Sequence, residues 1–202
     1  TLGGSGTLTA NSAAFSAGTL SLGQALVAAG ITSDGASTLA GTATGDVVVN
    51  GGQLTLAGAN RLANTATVDV NAGTLRLGGN QTLRALNLGG TLNASVASTL
   101  TTTDRITLNA GASVAAGVTL AGALVDVAGN ATLSGNSTAT SLQVNSGRLT
   151  LGSPGRLAAG TAVDVAFGAE LATAGNESVA SLALGGTLSG AGIFATSGQA
   201  AF

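Results

Sequence analysis

The stretch Val68-Asp69-Val70-Asn71-Ala72-Gly73-Thr74-Leu75-Arg76-Leu77 places two valines two residues apart, turns through Asn-Ala-Gly, then places two leucines two apart. In an extended chain this alternation puts Val68 and Val70 on one face and Asp69 on the other, and does the same for Leu75 and Leu77 around Arg76. Asn and Gly between the two runs tolerate the backbone that a corner requires. The signature returns at Val49-Asn50-Gly51-Gly52-Gln53-Leu54-Thr55-Leu56 and at Val144-Asn145-Ser146-Gly147-Arg148-Leu149-Thr150-Leu151. Weaker copies start at Phe15, Thr32, Leu88, Leu108, Val127, Val165 and Leu184. Successive starts lie about 19 residues apart, and a fixed period of that size with strand-type alternation predicts an all-β solenoid in which each repeat is one turn.

Each turn reads as two or three short strands joined at corners by Gly and Asn; after Gly78-Gly79-Asn80 breaks the run, Leu86 and Leu88 resume it. Helix is a poor alternative, because Gly, Thr, Ser and Val abound and no 3.6-residue stripe exists. Ten coils stacked about 4.8 Å apart make a rod roughly 48 Å long. Burying roughly four or five aliphatic side chains per coil, at about 1.5–3 kcal/mol each, offsets much of the ordering entropy. The whole chain, 1–202, is expected to be one β-helical segment excised from a longer rod, since neither end carries enough charge or Pro to cap an open edge. A longer period overlies the first. Val49 to Leu56 matches Val144 to Leu151, Arg61-Leu62 matches Arg156-Leu157, and Val68-Asp69-Val70 matches Val163-Asp164-Val165. The offset of about 95 residues is five coils and suggests a tandem duplication of 1–106 and 107–202.

Composition removes several classes of function. Charged residues are 7% of the chain, the six basic residues are all Arg, and net charge is −2. No basic field is present to attract phosphate, so no nucleic-acid partner is expected. Gly, Ser, Thr and Asn interrupt every apolar stretch, so no membrane insertion of this segment is expected. Cys and His are both absent. That removes a disulfide framework, a Ser-His or Cys-His catalytic pair in cis, and His-based metal ligation. Gly3-Gly4-Ser5-Gly6 and Gly185-Gly186-Thr187-Leu188-Ser189-Gly190 lack the Lys and the following helix of a phosphate loop and read as corners. No positively charged apolar leader precedes the repeats, which places any secretion signal outside the segment.

The phrases Gly58-Ala59-Asn60-Arg61-Leu62, Val70 to Leu77 and Leu184-Gly185-Gly186-Thr187-Leu188-Ser189-Gly190-Ala191-Gly192 resemble the repeats of filamentous-haemagglutinin-like adhesins and of autotransporter passenger domains. The resemblance is one of repeat grammar and extends over nearly the whole chain. It implies a right-handed parallel β-helix, secretion across the outer membrane of a Gram-negative bacterium, and a role in adhesion or surface assembly. It transfers no catalytic residue.

Acidic residues are the remaining candidates for chemistry. Asp69, Asp126 and Asp164 each precede their repeat's reference valine and are expected to point outward on one face. Asp126 and Asp164 would lie about 9.6 Å apart, near the upper limit for an inverting carboxylate pair. Polysaccharide-cleaving β-helices, however, resemble clefts lined with aromatics and basic residues, whereas this chain has four Phe and scattered Arg. A solvated outer row is the expectation. Asp34-Gly35 and Asp46 are isolated turn acids, and the calcium-binding nonapeptide Gly-Gly-x-Gly-x-Asp is absent. Asn50, Asn71, Asn109 and Asn145 share one corner position and are expected to bond their own backbone. Five Asn-x-Ser/Thr sequons occur, at Asn80, Asn93, Asn130, Asn136 and Asn176, and glycosylation there suits a surface adhesin. The pairs Thr42/Thr44, Thr65/Thr67 and Thr138/Thr140 precede their repeats at similar distances, but unequal coil lengths argue against a flat Thr lattice.

The sequence thus leads to no catalytic, cofactor or metal residues and no enzyme. The leading expectation is a stiff stalk of a secreted or cell-surface adhesin. A self-assembling extracellular filament or sheath component is the alternative, and a carbohydrate-active β-helix the remote one. End-to-end or lateral self-association and a host or bacterial surface receptor are the expected partners.

Overall fold

The computed structural model describes residues 2–4, 6–16, 18–22 and 25–202. Two eleven-stranded parallel sheets run its length. Sheet A begins with Leu2–Gly4 and Gly18–Leu22 and ends with Glu170–Ala174 and Thr187–Ala191. Sheet B begins with Leu8–Phe15 and Leu26–Ser33 and ends with Ser181–Leu184 and Ala200–Ala201. In both sheets neighbouring strands come from successive turns of the chain, which defines a β-solenoid; the described residues contain no helix.

The third side is less regular. Its continuous part is a four-stranded sheet of Gln81–Leu83, Ser98–Thr102, Val118–Ala121 and Asn136–Ser137. Glu177–Val179 and Phe194–Thr196 form a separate pair. Elsewhere on the third side the described residues form isolated bridges, Leu26 to Ala43, Ala43 to Leu62, and Ser137 to Leu157.

The sheet B register matches the sequence period. Phe15 pairs with Ser33, Ser33 with Val49, Val49 with Val70, and Val70 with Leu88. The ladder continues through Leu108, Val127, Val144, Val165 and Leu184. One start was misplaced: Thr32 faces outward, and the ladder position belongs to Ser33, which is fully buried. A search for β-branched residues passes over a small inward serine, whose hydroxyl is satisfied locally by the Gly35 carbonyl at 3.4 Å.

Inward positions form continuous columns. In sheet A, Leu54, Leu75, Leu92, Val114, Leu133 and Leu151 stack in register, and all are buried. In sheet B, Val47, Val68, Leu86, Ile106, Val125, Leu142 and Val163 do the same. These columns supply the hydrophobic stabilisation, while backbone groups pair with the turns above and below.

Along sheet B, coil lengths vary from 16 residues (Ile31 to Val47) to 21 (Val47 to Val68, Leu142 to Val163). The third-side connections absorb most of the difference, six residues at 40–45 against ten at 57–66 and 152–161, with a smaller share at the corners. The B-to-A corner has two residues between Leu88 and Thr91, three between Val70 and Thr74, and four between Leu108 and Ser113. Unequal coils therefore leave the sheets in register. At this corner Gly52, Gly73, Gly111, Gly147 and Gly168 have positive φ, from 59° to 90°, a conformation that costs any residue with a Cβ. At Gly73 stacking adds a second constraint, because a Cβ would lie 2.5 Å from the Gly52 carbonyl oxygen.

Candidate functional site

The exterior of sheet B brings the three candidate acids into one row. The register runs Val48, Asp69, Asn87, Thr107, Asp126, Gln143, Asp164 and Ala183. Asp126 and Asp164 are two strand spacings apart, about 9.6 Å, with Gln143 between them. Asp69 Oδ1 accepts from Asn87 Nδ2 at 2.6 Å, and Asp126 Oδ1 accepts from Asn145 Nδ2 at 2.8 Å. Asp164 is exposed. It borders a shallow depression with Ser141, Gln143, Ser181, Gln199 and Ala201, and no aromatic or basic side chain lines that depression. Asn87, Thr107 and Gln143 space the like charges along the row, and the amides of Asn87 and Asn145 bind Asp69 and Asp126 to the following coil.

Three of the four corner asparagines, Asn50, Asn71 and Asn145, bond across coils, contrary to expectation. Asn50 donates to Asp34 at 3.0 Å and Asn71 donates to Asn50 at 3.0 Å, so the side chains link coils rather than folding onto their own backbone. A parallel stack puts an identical corner about 4.8 Å away, and the neighbour's side-chain oxygen is then the better-placed acceptor. Three sequon asparagines do related work. The Oδ1 atoms of Asn80, Asn130 and Asn176 accept the backbone N–H of Thr99, Arg148 and Ile193 in the following coil at 2.8–2.9 Å.

The threonine pairs do not gather into an array. Ala43 bridges Leu62, so the positions beside Thr42 and Thr44 in the next coil are Arg61 and Ala63. The longest outward hydroxyl column lies instead on sheet A, through Thr74, Thr91, Ser113, Thr132 and Thr150.

A repeated device on the third side escaped the sequence reading. The ten-residue connections 57–66 and 152–161 carry only an isolated bridge each, and an arginine braces each one. Arg61 donates through Nε to Ala59 O at 3.0 Å and through Nη1 to Ala40 O at 2.8 Å. Arg156 donates in the same way to Pro154 O and Ser134 O, both at 3.1 Å. A buried polar side chain from the following coil completes each brace. Gln81, 1% exposed, accepts the Arg61 backbone N–H at 2.8 Å and donates to Gly58 O at 2.7 Å. Glu177, 2% exposed, accepts the backbone N–H of Arg156 and of Leu157, both at 3.0 Å. The signal was present in the matched Arg-Leu pairs, but an apolar-pattern reading sends Gln81 and Glu177 outward by default.

Among the described residues the one ion pair is Arg148 to Glu170, 3.5 Å apart on the sheet A exterior, and no helix is long and apolar enough to cross a membrane. Most of these contacts hold coils together: Asp34, Asp69 and Asp126 accept from asparagine amides, Asp46 and Glu177 accept backbone N–H groups, and Arg61 and Arg156 donate to backbone carbonyls. Compared with known proteins, the chain matches no family model, no curated protein and no solved structure. The β-solenoid fold is established by the strand topology, and the likeness to haemagglutinin-type and autotransporter repeats rests on sequence grammar alone.

Proposed function

We propose that this chain is a rigid β-helical stalk segment of a secreted bacterial surface adhesin, displayed on the outer face of a Gram-negative cell and without a catalytic role. The observation that supports this reading is the unbroken in-register stacking of sheets A and B over eleven strands each, around buried aliphatic columns. Such a stack transmits load and sets distance without requiring a site of its own. The exterior of Thr, Ala, Ser, Asn and Gly, with only 7% charge in the chain, suits a spacer that presents receptor-binding elements located elsewhere. Antibodies raised against the 202-residue chain should stain intact cells of the organism that carries the gene. Staining only after permeabilisation would defeat the surface assignment.

The same weakly charged exterior favours a second reading, a self-assembling extracellular filament or sheath component, because little electrostatic repulsion keeps the rods apart. Electron microscopy of the purified chain across a concentration series separates the two: filaments support assembly, and single short rods throughout leave the stalk. The non-catalytic assignment is tested on bacterial and host polysaccharides. A hydrolase or lyase activity lost in the Asp69→Asn, Asp126→Asn, Asp164→Asn triple variant would overturn it.

A further inference from the structure

We infer that copies of this chain dock side by side, the acidic exterior of sheet B on one copy meeting the two arginine-braced connections on the third side of another. Charges are few, six Arg against eight acids in 202 residues, and they are unevenly placed. Asp34, Asp46, Asp69, Asp126 and Asp164 lie on sheet B or at its borders, whereas Arg61 and Arg156 lie on the third side. Arg84, Asp104 and Arg105 share the corner between these two sides.

The spacing makes the two faces complementary. Asp69 and Asp164 are five coil steps apart in the sheet B register, about 24 Å at the parallel strand spacing. Arg61 lies in the same coil as Asp69, and Arg156 in the same coil as Asp164, so the arginines share that pitch. A neighbouring rod set against the third side therefore brings both of its acids opposite both arginines together. Antiparallel rods preserve the match, because two equally spaced pairs stay in register when one is inverted.

The groups are also prepared for contact. Each guanidinium is fixed by two backbone carbonyls, so little side-chain entropy remains to be lost on pairing. No carboxylate lies within ion-pair distance of either one among the described residues. Glu177 is buried beneath Arg156 and bonded to backbone, so it does not reach the exterior. On the other face, Asn87 orients Asp69, and Asp164 is exposed. One exposed ion pair is weak. Two at a matched pitch act together, since the first contact presents the second at high effective concentration. Because each copy carries both faces, the contact is heterologous and propagates into bundles rather than closing as a dimer. The stalk reading stands whether or not rods associate in this way.

Sedimentation velocity of the full 202-residue chain over a concentration series tests the inference. At low ionic strength the weight-average sedimentation coefficient should rise with concentration, and about 0.5 M NaCl should return it to the monomer value. The Asp69→Asn, Asp164→Asn double variant should weaken association at least tenfold. Removing two carboxylates takes net charge from −2 to 0, which by itself favours non-specific association, so a loss identifies the specific contact. Asp126→Asn, on the same face but in a coil without an arginine brace, should associate like wild type. Three results would overturn the inference: no concentration dependence at low salt, association unchanged in the double variant as end-to-end growth predicts, or an equal loss in Asp126→Asn.

Discussion

Replacing Gly73 and Gly168 by alanine, one at a time, separates what a corner demands of the backbone from what stacking demands of it. Both glycines have positive φ, 75° and 80°. Alanine in that region costs about 1–2 kcal/mol, offset by about 0.4–1 kcal/mol from the lower entropy of the unfolded chain. That sum, about 1 kcal/mol, is all that Gly168→Ala should cost, because nothing lies within 4 Å of a Cβ there. At Gly73 the new carbon would sit 2.5 Å from Gly52 O and 2.8 Å from Gly51 C, both backbone atoms of the coil beneath. Relief requires the coils to part where Thr74 N donates to Gly52 O at 2.9 Å. The parting adds about 1–3 kcal/mol of overpacking and about 1 kcal/mol of lost hydrogen bond. For a chain of this length, thermal midpoints should fall by about 2–4 °C in Gly168→Ala and about 6–20 °C in Gly73→Ala. Accelerated amide exchange at Thr74 in Gly73→Ala alone would localise the damage, which matters because repeat arrays lose cooperativity. Equal losses in the two variants would refute the stacking argument.

Leu75→Asp introduces an unpaired charge at a fully buried position between Leu54 and Leu92. It should cost about 4 kcal/mol or more and remove the folded circular-dichroism signal near physiological temperature; wild-type stability would show the register to be wrong. Asp69→Asn, outward in the same coil, should leave the melting curve within about 0.5 kcal/mol of wild type. Glu177→Gln retains a carbonyl acceptor, as Gln81 does at the first brace, and should cost at most about 1–2 kcal/mol by urea titration. Glu177→Leu strands the N–H groups of Arg156 and Leu157 and should cost about 2–5 kcal/mol. A leucine variant as stable as the glutamine one would show that these bonds contribute nothing.

The two-residue alternation made the sheets legible. It identified nine of the ten inward ladder residues on sheet B because Phe, Val and Leu at those places are apolar, and it slipped by one only where Ser33 is small and polar. The third side was not legible in the same way. The connections 57–66 and 152–161 satisfy their backbone through Arg61 and Arg156 and through buried Gln81 and Glu177, and residue polarity alone does not distinguish a buried brace from a solvated surface. The corner asparagines illustrate a related limit. Their position was evident from spacing, but the partners of Asn50, Asn71 and Asn145 lie one coil away, a distance along the sequence that local turn chemistry does not consider. Coil length varies mainly on the third side, six residues at 40–45 against ten at 57–66 and 152–161, which is why sheets A and B stay in register despite it.

Each turn of about 19 residues advances the rod by one strand spacing and no more. The chain contains no Cys, so pairs of spin labels can be placed cleanly on the outward row of sheet B. Asp69 paired with Gln143, Asp164 and Ala183 spans four, five and six register steps. Pulsed dipolar electron paramagnetic resonance at high dilution should return about 19, 24 and 29 Å, rising by about 4.8 Å per step. Distances that fail to rise in equal increments across the three pairs would contradict the solenoid itself.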